Sequence, residues 1–193
     1  MALRFPLSEA PDRSARESVE KSISLVHKGD AGFPIVRDDG QAMLGPYGPV
    51  SYSTDAADAI CTVLKAVLAP NLVKPRNREL AAMALVATVK LPYMMYCHRL
   101  VGAKFGLTPE QCNDALSGRM PQGLTEEEMT AYDLGGVLST LNGPLSDDDW
   151  RKFTSKMEKT QIVGIANVIG SYKWVATLVQ LNGNDENWAG KSE

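Results

Sequence analysis

Apolar residues recur along this chain at the spacing of amphipathic helices, and short segments rich in glycine, proline and capping residues separate them. The first such pattern predicts a helix over 14–29, with Gly29 placed to end it. Further helices are predicted over 53–70 (ending at Pro70), 74–90, 92–106 and 161–183. No stretch of useful length alternates apolar and polar residues as a half-buried strand does. The pattern therefore predicts an all-α fold.

Capping residues mark the starts of three more helices. In each, a threonine or serine can accept a hydrogen bond from the first turn, and a polar side chain follows three residues later. The pairs are Thr108 with Gln111, Thr125 with Glu128, and Ser146 with Asp149. We expect a helix to begin directly after each capping residue.

The segment over 30–50 is rich in glycine and proline and predicts a loop or docking segment. We therefore expect an N-terminal helix and irregular arm over 1–52, followed by a helical domain over 53–183. The last residues, 184–193, are polar and predict a frayed or extended tail.

Composition narrows the class of protein. The 193 residues are 44% hydrophobic and carry a net charge of −3, which argues against a nucleic-acid or anionic membrane surface. No apolar run approaches the roughly 20 residues that span a bilayer. The first residues lack the apolar core of a secretory signal, and three cysteines show no disulfide-scaffold spacing. We expect a cytoplasmic protein with reduced thiols and no partner among nucleic acids or membranes.

Cys97 stands directly before His98, one of two histidines in the chain. Neighbours on a helix point about 100° apart, so the two side chains do not face each other. Cys97 also lies about two turns into its predicted helix, where the dipole no longer favours a thiolate. Packing as a small buried side chain is the favoured interpretation. The histidines have no nearby pair of carboxylates, so no metal site is predicted.

His98 shares its helix face with Leu91, Met94 and Met95, which lie seven, four and three residues before it. An imidazole on such an apolar face needs a hydrogen-bonding partner, because burying it unpaired is costly. From the residues alone, a core histidine bonded to a carbonyl is the favoured interpretation.

Glu79 opens a helix that is apolar on nearly all sides, so its carboxylate is expected close to the core. A surface carboxylate favoured by the helix dipole, or paired with Arg76 or Arg78, is the alternative.

The spacing from Glu79 to His98 reads Glu-x11-Leu-x2-Met-x3-His, with Leu91 and Met94 at the intermediate positions. It resembles the alkylhydroperoxidase D-like and carboxymuconolactone decarboxylase superfamily, whose redox branch has cysteines at both intermediate positions. Three more segments resemble the decarboxylase branch, in the same order along about 40–183. They are "GPYGPVSYSTDAADAI", "HRLVGAKFGLTPEQ" and "QIVGIANVIGSYKWVATLVQLN", besides "NRELAAMALVA" around the glutamate.

The resemblance implies an alkylhydroperoxidase D-like helical bundle that assembles as a homo-oligomer, a trimer or hexamer, with sites near subunit contacts; a dimer also stays open. The loss of both cysteines argues against a peroxidase. The decarboxylase branch usually has a glutamate where Met94 stands, which argues against muconolactone decarboxylation itself. The implied activity is acid–base catalysis without metal or organic cofactor on a small carbonyl- or lactone-containing metabolite. Decarboxylation, isomerisation or cyclisation fits, and we place it in secondary metabolism.

In that interpretation the catalytic residues are His98, which shuttles a proton, and Glu79, which fixes the tautomer or accepts that proton. Five residues are predicted to contact the substrate, and they are Tyr47, Tyr93, Met94, Met95 and Tyr96. The tyrosines are candidate donors to an enolate, with plain packing an equal alternative. The methionines favour an apolar substrate. The loop around Tyr47 is expected to close the pocket.

Two other classes of function stay open. One is a thiol-dependent antioxidant that uses Cys97, and the other is a non-catalytic binding protein that keeps an oligomeric fold. An oligomer is also expected because the last helix is apolar on more than one side.

Overall fold

The computed structural model describes residues 3–27, 31–69 and 71–183. The helices in these ranges are α1 (Ala15–His27), α2 (Tyr47–Val50), α3 (Thr54–Val67), α4 (Pro75–Val89), α5 (Pro92–Lys104), α6 (Pro109–Leu116), α7 (Glu126–Thr140), α8 (Asp147–Thr154) and α9 (Lys159–Asn182), with a 3-10 turn at Leu7–Glu9. Extended pairing in the described ranges is limited to isolated antiparallel bridges, Pro6 with Ala42 and Val36 with Met43. The predicted all-α fold is confirmed.

The capping signals act as predicted. The hydroxyls of Thr108 and Thr125 accept from the backbone three residues later, and both capping boxes are complete. Ser146 accepts from the backbone N–H of Asp149 in the same way. These helices begin where the sequence indicates because each cap is satisfied by residues within one turn.

The glycine- and proline-rich segment is more ordered than a loop, since Tyr47–Val50 forms the short helix α2. Gly29, Pro70 and the tail 184–193 lie outside the described residues, so their predicted roles stay predictions.

The chain divides into two compact units. The first takes the described residues of Met1–Ala66, Leu91–Tyr93 and Trp174–Glu193. The second takes those of Val67–Lys90 and Met94–Lys173. These boundaries differ from the expected division at residue 52, because α5 and α9 each contribute residues to both units.

A small apolar core holds the first unit together. It consists of Val19, Ile23, Met43, Val50 and Ala57, with Leu7, Ile35, Val36, Tyr47, Trp174 and Leu178 packed against it. The side-chain amide of Asn182 donates to the carbonyl of Gly45, 2.8 Å away, and so ties the end of α9 to the segment before α2.

The second unit has the larger core. Its buried members are Val73, Ala81, Leu85, Ala131, Leu134, Phe153, Met157, Ile162, Ile165 and Ile169. Helix α4 is buried at every residue from Asn77 to Ala87, so it runs through the interior rather than along a surface. A β-carbon on Gly135 of α7 would lie 2.7 Å from the backbone of Ala81, which shows how closely α7 approaches α4.

Helix α9 is long and apolar enough to cross a membrane by length and composition alone. The core helix of a globular protein passes the same test, so this is weak evidence for a span. In the second unit, Ile162, Ile165 and Ile169 of α9 lie in the core, while Val163 is 56% exposed. Part of the apolar surface from which an oligomer is expected is therefore already covered within the chain.

Candidate functional site

The first turns of α4 bury three consecutive polar side chains, Asn77, Arg78 and Glu79. Buried polar groups need partners, so each of them indicates a specific arrangement of neighbours. Asn77 donates to Glu127 at 2.7 Å, and this pair joins α4 to α7. Arg78 donates to the carbonyl of Leu68 at 2.5 Å, and its guanidinium lies 5.5 Å from the ring centre of Phe105.

Arg76 does not pair with Glu79, since its guanidinium forms an ion pair with Glu128 of α7. Burial acts to raise the pKa of Glu128, but hydrogen bonds from the Thr125 backbone and from Arg76 outweigh it and lower the pKa. Glu79 is only 2% exposed and Arg76 is engaged elsewhere, so the surface position and the pairing with Arg76 are both excluded for Glu79.

The expected contact between Glu79 and His98 is present. Nδ1 of His98 lies 2.7 Å from Oε1 of Glu79, and both side chains are buried. Helix α4 supplies the carboxylate and α5 supplies the imidazole, so the pair depends on the packing of two helices within the second unit. A core histidine bonded to a carbonyl is therefore the wrong interpretation.

Tyr172 of α9 is the third side chain of this cluster. Its ring centre lies 4.9 Å from that of His98, with the planes at 66°, an edge-to-face contact. The ring also packs against the buried side chains of Val67, Ala82 and Val168. Although Tyr172 keeps part of its surface area accessible, burial raises the pKa of its hydroxyl well above the ordinary value. The charge of Glu79 raises that pKa further, while the charge of Arg78 lowers it.

Burial lowers the pKa of Arg78, and the neighbouring Glu79 and Tyr172 act in the opposite direction. An arginine stays charged even after such a shift, because its ordinary pKa lies far above neutrality. The cluster therefore contains one cation and one carboxylate beside the imidazole of His98.

Three of the predicted substrate-contacting residues lie in the second unit with His98. Met94 is buried, while Met95 and Tyr96 are half-buried on α5. Tyr96 comes two residues before His98, so on a helix the two side chains point about 200° apart. Met94 and Met95 share the face of His98, as the spacing predicts.

Tyr93 and Tyr47 belong to the first unit. The hydroxyl of Tyr93 donates to the carbonyl of Pro34 at 2.8 Å, and its ring meets Phe33 edge to face. A β-carbon on Gly45 would lie 2.1 Å from that ring. Tyr93 thus has the packing role, with its hydroxyl hydrogen used inside the protein. Tyr47 packs against the core of its own unit. Its role in closing a pocket at His98 stays a prediction.

The three cysteines are buried and none forms a disulfide. Burial raises the pKa of Cys61 and of Cys112, so both thiols stay protonated at neutral pH. Cys97 is 7% exposed and lies in the second turn of α5. In the described parts of the chain, no group of three or more histidine, cysteine, aspartate or glutamate side chains is placed to hold a metal ion.

Comparison with family models, with curated proteins and with solved structures finds no match for this chain. The alkylhydroperoxidase D-like bundle and the oligomer therefore stay predictions. Sequence analysis missed Tyr172 as a neighbour of His98, and it considered Arg78 only as a partner of a surface Glu79. Both residues stand in quoted segments, "NRELAAMALVA" and "QIVGIANVIGSYKWVATLVQLN", but the segments alone do not relate either residue to His98.

Proposed function

We propose that this chain is an acid–base enzyme that needs no cofactor and acts on a small carbonyl- or lactone-containing metabolite. Its reaction is a decarboxylation, an isomerisation or a cyclisation in secondary metabolism, carried out by a cytoplasmic homo-oligomer. The observation that carries this proposal is the buried hydrogen bond of 2.7 Å between Nδ1 of His98 and Oε1 of Glu79.

Glu79 determines what the imidazole can do. When the carboxylate is ionised, Nδ1 carries its hydrogen toward Glu79 and Nε2 presents a lone pair. None of the described residues forms a hydrogen bond with Nε2 of His98. A base with one nitrogen held by a carboxylate and the other available for a substrate is the arrangement that general acid–base catalysis requires.

In the proposed reaction, Nε2 takes a proton from the carbon beside the carbonyl, and the electron pair of the broken C–H bond forms an enolate. Glu79 stabilises the imidazolium of His98 that results. In an isomerisation, the imidazolium then returns the proton to a different carbon of the substrate. In a decarboxylation, Nε2 takes the proton of the substrate's carboxyl group, CO₂ leaves with cleavage of the C–C bond, and the imidazolium returns that proton to the resulting carbanion.

The cysteine alternative has weaker support, because Cys97 lies away from the helix N-terminus that would favour a thiolate. A non-catalytic binding protein would need no proton acceptor, and the buried Glu79–His98 pair would then serve packing alone. Both alternatives enter the experiment as outcomes.

The test begins by comparing the metabolites of the source organism with those of a strain from which the gene for this chain has been deleted. A compound that accumulates without it is incubated with purified protein in deuterium oxide, and deuterium uptake and product are followed by NMR and mass spectrometry. His98→Gln should lower turnover by roughly 10²- to 10⁴-fold. Glu79→Gln should lower it less, since Gln still accepts from Nδ1. Cys97→Ala serves as the matched variant on the same helix and should retain turnover.

Full turnover by His98→Gln would exclude the proposed base. Loss of turnover in Cys97→Ala alone would establish the thiol alternative instead. Unchanged metabolites, with tight binding of a compound that is never converted, would establish the binding protein.

A further inference from the structure

Two polar atoms on adjoining rings have no hydrogen-bond partner among the residues that the structure describes. Among the described residues, none forms a hydrogen bond with Nε2 of His98 or with the hydroxyl of Tyr172. The two rings are in edge-to-face contact at 4.9 Å between centres. Among the described residues, neither atom is an enclosed side-chain atom without a partner, so both are accessible to a ligand. Because their rings are in contact, one ligand can bond to both.

The chemistry of the two atoms differs. Burial is the main cause that raises the pKa of Tyr172, so its hydroxyl keeps its hydrogen at neutral pH and acts as a donor. Nε2 of His98 is an acceptor when Nδ1 donates to Glu79. A ligand that satisfies both atoms presents an acceptor to the tyrosine and a hydrogen to the histidine.

The charge near Tyr172 favours an acceptor that becomes negative. Arg78 is buried, and among the described residues only one N–H group of its guanidinium has a hydrogen-bond partner, the carbonyl of Leu68. Its positive charge acts to lower the pKa of the Tyr172 hydroxyl, against the larger effect of burial. A donor beside a fixed cation stabilises an oxyanion in a low-dielectric site.

We propose that Tyr172 is a catalytic residue that donates a hydrogen bond to the substrate's carbonyl oxygen, and that the substrate is an enolisable ketone, ester or lactone. This inference rests on the proposed function and narrows its substrate class. The carbonyl oxygen and the carbon that loses its proton are about 2.4 Å apart in such a group, from standard bond lengths. The two atoms are thus close enough together for one small group to contact two neighbouring side chains.

The step balances without any further reactant. The C–H bond breaks, its proton goes to Nε2, and its electron pair forms the carbon–carbon double bond of the enolate. The π electrons of the carbonyl move to its oxygen, where the Tyr172 hydroxyl donates without losing its proton. Arg78 balances the charge that develops there.

The experiment uses 4-nitrophenol, whose phenolate oxygen resembles an enolate oxygen and whose absorbance reports its ionisation. Binding is measured by absorbance and by calorimetry for the full-length wild type, Tyr172→Phe and Tyr132→Phe. Tyr132 is a matched control, because its buried hydroxyl donates to the carbonyl of Ala115 at 2.9 Å and has no part in the cluster. Tyr172→Phe keeps the ring contact with His98 and removes only the donor.

We expect Tyr172→Phe to weaken phenolate binding by roughly 10- to 100-fold, the size of one hydrogen bond to a charged acceptor. Tyr132→Phe should bind as the wild type does. Equal affinity of wild type and Tyr172→Phe would overturn the inference, and so would a wild type that binds no phenolate. Either result leaves the proposed function to its own test, because deuterium uptake through His98 is measured on a different compound and different variants.

Discussion

Two adjacent glycines of α7 allow a direct test of how closely α7 approaches α4. A β-carbon on Gly135 would lie 2.7 Å from the Cα and the carbonyl oxygen of Ala81. A β-carbon on Gly136, the next residue, would meet no atom within 4 Å. The atoms facing Gly135 belong to the backbone, so a helix must shift to accept Gly135→Ala. Nothing has to move for Gly136→Ala.

The magnitudes follow from this difference. Both substitutions gain the same helix propensity, up to about 1 kcal/mol over glycine. Gly136→Ala should therefore stabilise the protein by roughly 0.5–1 kcal/mol. Gly135→Ala adds an overpacking cost of typically 1–3 kcal/mol. We expect the upper part of that range, about 2–3 kcal/mol, because a backbone cannot rotate away as a side chain can. Propensity cancels between the variants, so their difference isolates this steric cost.

The assay is urea unfolding followed by far-ultraviolet circular dichroism. All variants are compared at one protein concentration, since any oligomer makes apparent stability depend on concentration. Equal slopes of free energy against urea show that the variants unfold from comparable states. If Gly135→Ala proves as stable as Gly136→Ala, the two helices do not approach as closely as described at Gly135 and Ala81.

Three further outcomes are expected. Glu79→Gln should change the free energy of unfolding little. Glu79→Leu should lower it by roughly 1–3 kcal/mol, because it leaves Nδ1 of His98 buried without a partner. Thermal unfolding of the two variants and the wild type measures this difference. The lowered pKa of Glu128 stabilises the fold above its unfolded value of 4.5 and loses this effect as pH falls through the folded value. The stability difference between wild type and Glu128→Gln should therefore shrink below about pH 4.5, and a pH-independent difference would contradict this. Cys61 and Cys112 should react with iodoacetamide far more slowly in folded than in unfolded protein, by site-resolved mass spectrometry, because burial raises both thiol pKa values.

The parts of the fold that could be predicted are those set by local interactions. Thr108 and Thr125 cap their helices through bonds spanning three residues, so the sequence contains all the participants. The short helix at Tyr47–Val50 was not predicted, because the glycines and prolines around it favour a loop by local preference alone. The bridge between Pro6 and Ala42 joins residues far apart in sequence, which no local pattern reveals.

The residues of the candidate site also separate into those that could be predicted from the sequence and those that could not. Glu79 and His98 could be paired because their separation fits a known spacing and their helices predict burial. Tyr172 could not be placed, since its contact with His98 depends on how α9 packs beside α5. Tyr93 has a conspicuous place near His98 in sequence, but its hydroxyl turns to Pro34. Proximity along one helix did not identify the neighbours of the imidazole.

The burial of α4 from Asn77 to Ala87 limits how this protein can change in evolution or by design. From Asn77 to Ala87 the helix has no solvent-facing side on which substitutions accumulate without cost. Substitutions that change substrate preference are therefore expected at half-buried positions of α5 and α9, such as Met95, rather than around the carboxylate of Glu79. A library that spares α4 and randomises those positions should retain folded members and yield altered substrate preference, with the carboxylate of Glu79 held constant throughout.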